Sequence, residues 1–255
     1  MPRSSDQPPG RRREYRFGPV VFVPEFGSSA DDPWAHRKGE PRLFTLLWAI
    51  YLLIAAMGTI FATRTIGPPT PTSYRIGCLS MLSVVAIGGV VLWPAVRLSQ
   101  RSPEHPFRAV GADLAVILLP TQTVVWPMPL LTHWPWDTTA AMALSLTAWV
   151  LAIGGVVART VRRGPGAARG LVMLGICVAA FAGPALGLLG AARGMWSPRP
   201  GLLASPLTAS WALAETPANL APVMTPIEWW AVLAPALAAA VIWVGALHRP
   251  RPAAA

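Results

Sequence analysis

Few side chains in this sequence have the type and spacing that chemistry needs. The densest group is THWPWDTTA, Thr132 to Ala140, in which a histidine, two tryptophans, a proline and an aspartate occupy the five positions from His133 to Asp137. Such a group could ligate a metal or a heme, hold a substrate, or close a turn at the edge of an apolar phase. A second group lies just upstream in AVGADLAVILLPTQTVVWPMPLL, where Asp113 and the trio Thr121, Gln122 and Thr123 interrupt an apolar run. A carboxylate and an amide in such a run are candidates for a proton or cation path. Each also has a structural alternative. Asp113 can be a shallow carboxylate held by a helix N-terminus and by Arg108, and Gln122 can hydrogen-bond a neighbouring helix. Glu228 is expected to be an N-terminal helix charge.

The usual signatures of catalysis are missing. The sequence has no HExxH, no nucleophilic serine motif with a histidine partner in an apolar segment, no glycine-rich phosphate loop followed by lysine, and no Asp-rich head-group transferase motif. Its four histidines, His36, His105, His133 and His248, all lie outside the apolar segments. A cytochrome holding heme between helices would need them inside. Cys78 and Cys177 are spaced for neither a disulfide framework nor a zinc site and are expected to pack. No metal or cofactor is expected, and the pattern disfavours an enzyme.

The elements that must position these residues are membrane helices. Of 255 residues 53% are apolar and 13% charged, and the mean hydropathy is +0.47, far from a soluble domain. Six apolar segments are expected to cross the bilayer: Leu43 to Thr63, Cys78 to Val96, Ala109 to Leu131, Thr139 to Val157, Leu171 to Ala192 and Ile227 to Leu247. Each has about the twenty residues that ~30 Å of hydrocarbon requires. The predicted fold is therefore all-α, a bundle of six transmembrane helices (residues 42–248), between a basic tail (1–41) and a short C-terminal tail (249–255).

Charge orients the bundle. The N-terminal tail, the second and fourth connections and the C-terminal tail carry 17 of the 21 basic residues, and the other three connections carry 4. Positive residues favour the cytoplasmic side, so both termini are expected in the cytoplasm and the protein in the cytoplasmic (inner) membrane. The net charge of +10 is explained by this asymmetry and by an almost exclusive use of Arg over Lys, so no nucleic-acid partner is expected. No signal peptide is evident, and the first span is expected to direct insertion.

Several local features shape the bundle. The tail begins Pro/Arg/Ser-rich, which reads as disordered, and continues as YRFGPVVFVPEF, Tyr15 to Phe26, expected as one strand or an extended segment. The hexapeptide AIGGVV occurs at Ala86 to Val91 and again at Ala152 to Val157, which allows a duplicated hairpin. Its paired glycines, Gly88 and Gly89, and Gly154 and Gly155, are expected to let helix backbones approach. Pro120, Pro184 and Pro235 are expected to kink spans three, five and six and to open internal space. Near Pro120 the carbonyl of Val116 then needs a threonine side chain or a neighbouring helix. The long connection from Arg193 to Pro226 is expected to lie on the membrane surface or dock to another protein, with a short helix or re-entrant piece around Leu207 to Ala214.

The spacing of Trp134, Trp136 and Asp137 resembles part of the tryptophan-rich motif of the heme-handling membrane proteins of cytochrome c maturation, which lies outside between the third and fourth of six spans. Such proteins take heme ligands from histidines in the adjacent external connections, and here those connections have none. The interfacial alternative makes Trp134 and Trp136 anchors at the membrane surface and Asp137 the cap of the fourth helix. In architecture the chain is similar to small ABC-2-type permeases: six spans, cytoplasmic termini, a cytoplasmic connection LSQRSPEHPFRA after the second span and a long external loop before the last. That resemblance implies a cytoplasmic ATPase docked at Leu98 to Ala109. The leading expectation is a non-enzymatic membrane subunit or accessory protein in contact with the lipid bilayer and with other membrane subunits. A permease is its alternative and a heme-handling protein a remote one.

Overall fold

The computed structural model describes residues 15–17, 20–22, 41–66, 70–100, 102–103, 105–163, 166–194, 199–214 and 224–247. The chain divides into two units, Met1–Glu40 and Pro41–Ala255. In the first, β1 (Tyr15–Phe17) pairs antiparallel with β2 (Val20–Phe22), with Tyr15 opposite Phe22. Two short strands thus stand where one extended segment was expected. Pro19, between them in sequence, lacks the N–H that a continuous strand would use. The start of the tail, which was expected to be disordered, the C-terminal tail, His36 and His248 lie outside the described residues.

The second unit is helical. In order it contains α1 (Pro41–Ile66), α2 (Pro71–Ile87), a π-helical turn (Gly88–Leu92), α3 (Trp93–Ser99), α4 (Pro106–Val125), α5 (Met128–Thr132), α6 (Trp136–Arg162), α7 (Ala167–Ala192), α8 (Arg199–Leu203), α9 (Ala209–Ala214) and α10 (Pro226–Leu247). Among the described residues six helices are long and apolar enough to cross a membrane, with α2 to α3 and α4 to α5 each forming one span. This is the architecture of a multi-pass membrane protein. Proline opens α1, α2, α4 and α10, where its missing N–H costs nothing. Two of these starts carry reciprocal caps. The Thr70 hydroxyl accepts from the Ser73 amide at 3.2 Å while Ser73 Oγ accepts from the Thr70 amide at 2.9 Å. At α10 the Thr225 hydroxyl accepts from the Glu228 amide at 3.4 Å, and Glu228 Oε2 accepts from the Thr225 amide at 2.7 Å. Capping therefore starts span two at Pro71, ahead of the Cys78 that hydropathy marks.

Spans two and four form the centre: their apolar windows are 61% and 67% buried, against 17–33% for the other four. These two carry the repeated hexapeptide. Its two copies nevertheless differ in conformation, because AIGGVV continues as LWP in span two and as ART in span four. Pro94 would crowd the carbonyl of Val90 in a regular helix, and the chain widens there so that the Trp93 amide donates to the Gly88 carbonyl in a π turn. The second copy, without a following proline, stays α-helical.

The glycines of both copies receive side chains rather than a neighbouring backbone, which corrects the expected backbone contact. Gly88 faces Tyr51 and Trp48 of span one, and Gly89 faces Val150 of span four. Gly154 faces Leu114 of span three, and Gly155 faces Ile242 and Trp243 of span six. An aromatic group then uses each notch to reach the carbonyl four residues before a glycine. Tyr51 donates to the Val84 carbonyl at 2.5 Å over Gly88, and Trp243 Nε1 donates to the Leu151 carbonyl at 2.9 Å over Gly155.

Close backbone contact occurs instead in the connection that was expected on the membrane surface or docked to another protein, with a short helix or re-entrant piece around Leu207 to Ala214. Of the connection between spans five and six, residues 199–214 are described: α8 and α9 fold back into the bundle, and Leu203, Ser205, Leu207, Ala209, Ala212 and Leu213 are buried. Ser205 Oγ donates to the Ala180 carbonyl at 2.6 Å. Ser83 Oγ donates to the Leu207 carbonyl at 3.1 Å and accepts from Trp211 Nε1 at 2.8 Å. Ser83 and Ala180 each lie twelve residues from the nearer end of their spans, Pro71 and Ala192. At 1.5 Å per residue both contacts are ~18 Å along a span, which is about mid-bilayer. The segment is re-entrant.

Glycines make the descent possible. A Cβ on Gly201 would stand 2.6 Å from the carbonyl oxygen of Gly183 and 3.0 Å from the Cα of Gly187. Gly201→Ala is therefore expected to destabilise the protein by about 1–3 kcal/mol, read as a lower melting temperature in detergent. Gly170→Ala, beside open space in α7, should not lower it. An unchanged melting temperature for Gly201→Ala would show that the two backbones do not touch.

Candidate functional site

The carboxylate at Asp113 is where span three meets span two. Arginines cluster at this end of the bundle, which comprises the starts of α4 and α7 and the ends of α3, α6 and α10. The π turn sets Trp93 and Arg97, four residues apart, on the helix face toward α4. Trp93 Nε1 donates to Asp113 Oδ2 at 3.3 Å, and Arg97 Nε lies 3.3 Å from the same oxygen. The Arg97 contact is a charge pair whose Nε–H points off the hydrogen-bond axis. Arg97 also donates from Nη1 to Gln100 Oε1 at 2.9 Å. The expected partner, Arg108, is thus replaced by Arg97, because the face of α4 that carries Asp113 turns toward span two while Arg108 is exposed. Side-chain exposures of 13% and 15% place the pair largely out of solvent.

The cluster clasps two spans through one carboxylate oxygen. Neither Trp93 nor Arg97 was singled out as a candidate, although the WPAVR spacing puts them on one helical face.

At mid-depth the polar trio serves packing. Gln122 Nε2 donates to Thr147 Oγ1 of α6 at 2.9 Å, the bond between helices that was one of its two readings. Thr121 Oγ1 donates to the Ile117 carbonyl at 2.7 Å, and Trp48 Nε1 of span one donates to the same oxygen at 3.1 Å. Threonine and a neighbouring helix both act beside the Pro120 break, on Ile117 where Val116 was expected. Thr123 Oγ1 donates to the Pro120 carbonyl at 2.7 Å. Helices α4, α7 and α10 continue through Pro120, Pro184 and Pro235.

The connection with His133 to Asp137 needs two corrections. Trp134 is 3% exposed, and only Trp136, at 60%, faces outward. Of the two residues expected as interfacial anchors, only Trp136 is exposed enough to serve. Asp137 does not cap α6: the helix starts at Trp136 with Pro135 in the capping position, and Asp137 Oδ1 accepts from its neighbour Thr138, from the amide at 2.7 Å and the hydroxyl at 3.5 Å. It remains a favourable charge in the first turn. His133 adopts a left-handed conformation with φ of 54° and ends α5, and Arg75 Nε of span two caps that end by donating to the Thr132 carbonyl at 2.9 Å.

Two further arginines fasten connections. Arg169 donates from Nη1 to the carbonyls of Leu98 at 3.0 Å and Gln100 at 2.6 Å, and from Nη2 to Ser102 Oγ at 2.6 Å. Ser102 Oγ in turn donates to the Val161 carbonyl at 3.1 Å, so the connection after span two is tied to spans four and five. At the opposite end Arg199 of α8 pairs with the buried Glu228, which also caps α10.

Asp113→Ala leaves Arg97 buried without its countercharge and is expected to cost about 3–5 kcal/mol, measured by unfolding in mild detergent. The double change Arg97→Met with Asp113→Leu should recover most of it, because no charge is then stranded. Equal losses in both variants would mean that packing, not charge, holds this junction.

No family model matches the chain, and neither a curated protein nor a solved structure matches it.

Proposed function

We propose that this protein is a non-enzymatic membrane component that works through partner proteins. The supporting observation is that the acids available in its spans are committed to structure. Among the described residues only Asp113, Asp137 and Glu228 are acidic. Asp113 is held by Trp93 and Arg97, Glu228 by Arg199 and a helix cap, and Asp137 sits exposed in a first helical turn. Gln122, bound to Thr147 of α6, is likewise spent on holding two helices together. Chemistry or energy input would come from other subunits. The asymmetry of basic residues supports a cytoplasmic membrane location with both termini in the cytoplasm.

A second role, the permease half of an ABC-2-type transporter, is favoured by one specific observation. Non-helical backbone at membrane depth is tolerated only where it is buried in protein or lines a cavity, and it is common along transport paths. The segment α8 to α9 places such backbone at mid-depth. In this role the connection from Leu98 to Ala109, held in shape by Arg169, would meet the ATPase.

Purification from native membranes in mild detergent tests both. A membrane component of the first kind should copurify with a larger assembly of dissimilar subunits, and recovery as a homodimer with only an ATPase would contradict it and favour the permease. In sealed vesicles a thiol introduced at the exposed Asp137 should label from outside and one at the exposed Gln100 should not. The opposite pattern would reverse the orientation.

A further inference from the structure

Among the described residues the arginine-rich end of the bundle carries more positive charge than negative. Among the described residues this end holds Arg97, Arg108, Arg159, Arg162, Arg163 and Arg169. The single described acid there is Asp113, already paired with Arg97. Asp137 and Glu228 lie at the opposite end, in the first turns of α6 and α10. Arg169 is engaged with the connection after span two.

Two of the remaining arginines are braced by their surroundings. The guanidinium carbon of Arg162 lies 5.6 Å from the centre of the Phe107 ring, in cation–π range. Phe107 meets Trp243 edge-on, with ring centres 6.0 Å apart and planes at 67°. Trp243 is fixed by its hydrogen bond to the Leu151 carbonyl. Beside it, Arg159 lies against Gly245, where a Cβ would stand 2.7 Å from Nη2. Both arginines are half-buried, whereas Arg108 and Arg163 are exposed. The group is assembled from the first turn of α4, the last turn of α6 and the last turns of α10.

We propose that Arg159 and Arg162, braced by Gly245 and by Phe107 on Trp243, bind the phosphate of an anionic phospholipid headgroup. Guanidinium groups recognise phosphate through paired N–H donors, and bracing lowers the entropy lost in doing so. Basic groups between the cytoplasmic ends of spans are sites for anionic lipid heads. The site sits where the spans end, at headgroup level. Val241 and Val244, exposed on α10 at 71% and 54%, continue from it along the outside of the bundle, where acyl chains would lie. That apolar continuation favours a lipid over a soluble phosphate. The proposal is independent of the protein's role with partners.

Native mass spectrometry of the detergent-purified full chain, titrated with phosphatidylglycerol or phosphatidylcholine of matched chains, tests it. The wild type should prefer phosphatidylglycerol by ~10-fold or more, as a localised two-arginine site requires. The variant Arg159→Gln/Arg162→Gln should lose that preference. Arg108→Gln/Arg163→Gln, which removes the same charge from exposed positions, should keep it. Should the first variant fail to accumulate, Phe107→Leu, which retains every charge, should still weaken the preference several-fold by releasing Arg162. Three results would each overturn the proposal: no preference in the wild type, equal loss in the Arg108/Arg163 variant, or displacement of the lipid by equimolar inorganic phosphate.

Discussion

A single backbone carbonyl, that of Ala180, sets the terms for much of this bundle. Pro184 has no N–H to offer it, and the surrounding hydrocarbon has no water, so the oxygen needs a donor from elsewhere in the chain. Ser205 provides one at 2.6 Å. For Ser205 to reach that depth, the connection between spans five and six must turn inward, which demands glycine at 183 and 201 where two backbones touch. It must then be held at its mouth, where Arg199 meets Glu228, and at its tip, where Leu207 and Trp211 meet Ser83. Remove the proline and the reason for the descent weakens.

The same accounting runs through the rest of the membrane unit. Without a hydrophobic force between helices in lipid, association rests on packing and on hydrogen bonds worth about 0.6 kcal/mol each on average. Here many of those bonds come from aromatic donors aimed at backbone carbonyls: Trp48 to Ile117, Tyr51 to Val84 and Trp243 to Leu151. Two of the three pass over a glycine of the repeated hexapeptide, which explains its placement on the two central spans. Asp113 is the charged version of the same device, joining spans two and three through Trp93 and Arg97.

The spans were legible in the sequence because hydropathy and charge are summed over twenty residues and tolerate local exceptions. Prolines were legible as defects, since each must free a carbonyl whatever surrounds it. The donors that answer them were not. Ser205 lies 25 residues from Ala180, and Trp48 lies 69 from Ile117, separations that no local pattern encodes. The two tryptophans of HWPWD show the limit within one turn: they stand two residues apart, one buried and one facing out. Asp137 misled because a cap is defined by where the helix begins, and here Pro135 takes that position. The partner of Asp113 required knowing which face of α4 looks toward span two. The π turn at Gly88 was written in the sequence all the same, in the Pro94 that follows one copy of AIGGVV and not the other.

The dependence of the re-entrant segment on the carbonyl that Pro184 frees in span five can be measured by a double-mutant cycle at Ser205 and Pro184. Ser205→Ala alone should destabilise the protein by about 1–3 kcal/mol, the cost of a buried carbonyl left without a donor. In a Pro184→Ala background the new amide can serve Ala180, so the same serine change should cost much less, leaving a coupling of about 1 kcal/mol or more. Strictly additive losses would contradict the account, because Ser205 would then be holding the segment in place for some reason other than the carbonyl that Pro184 frees.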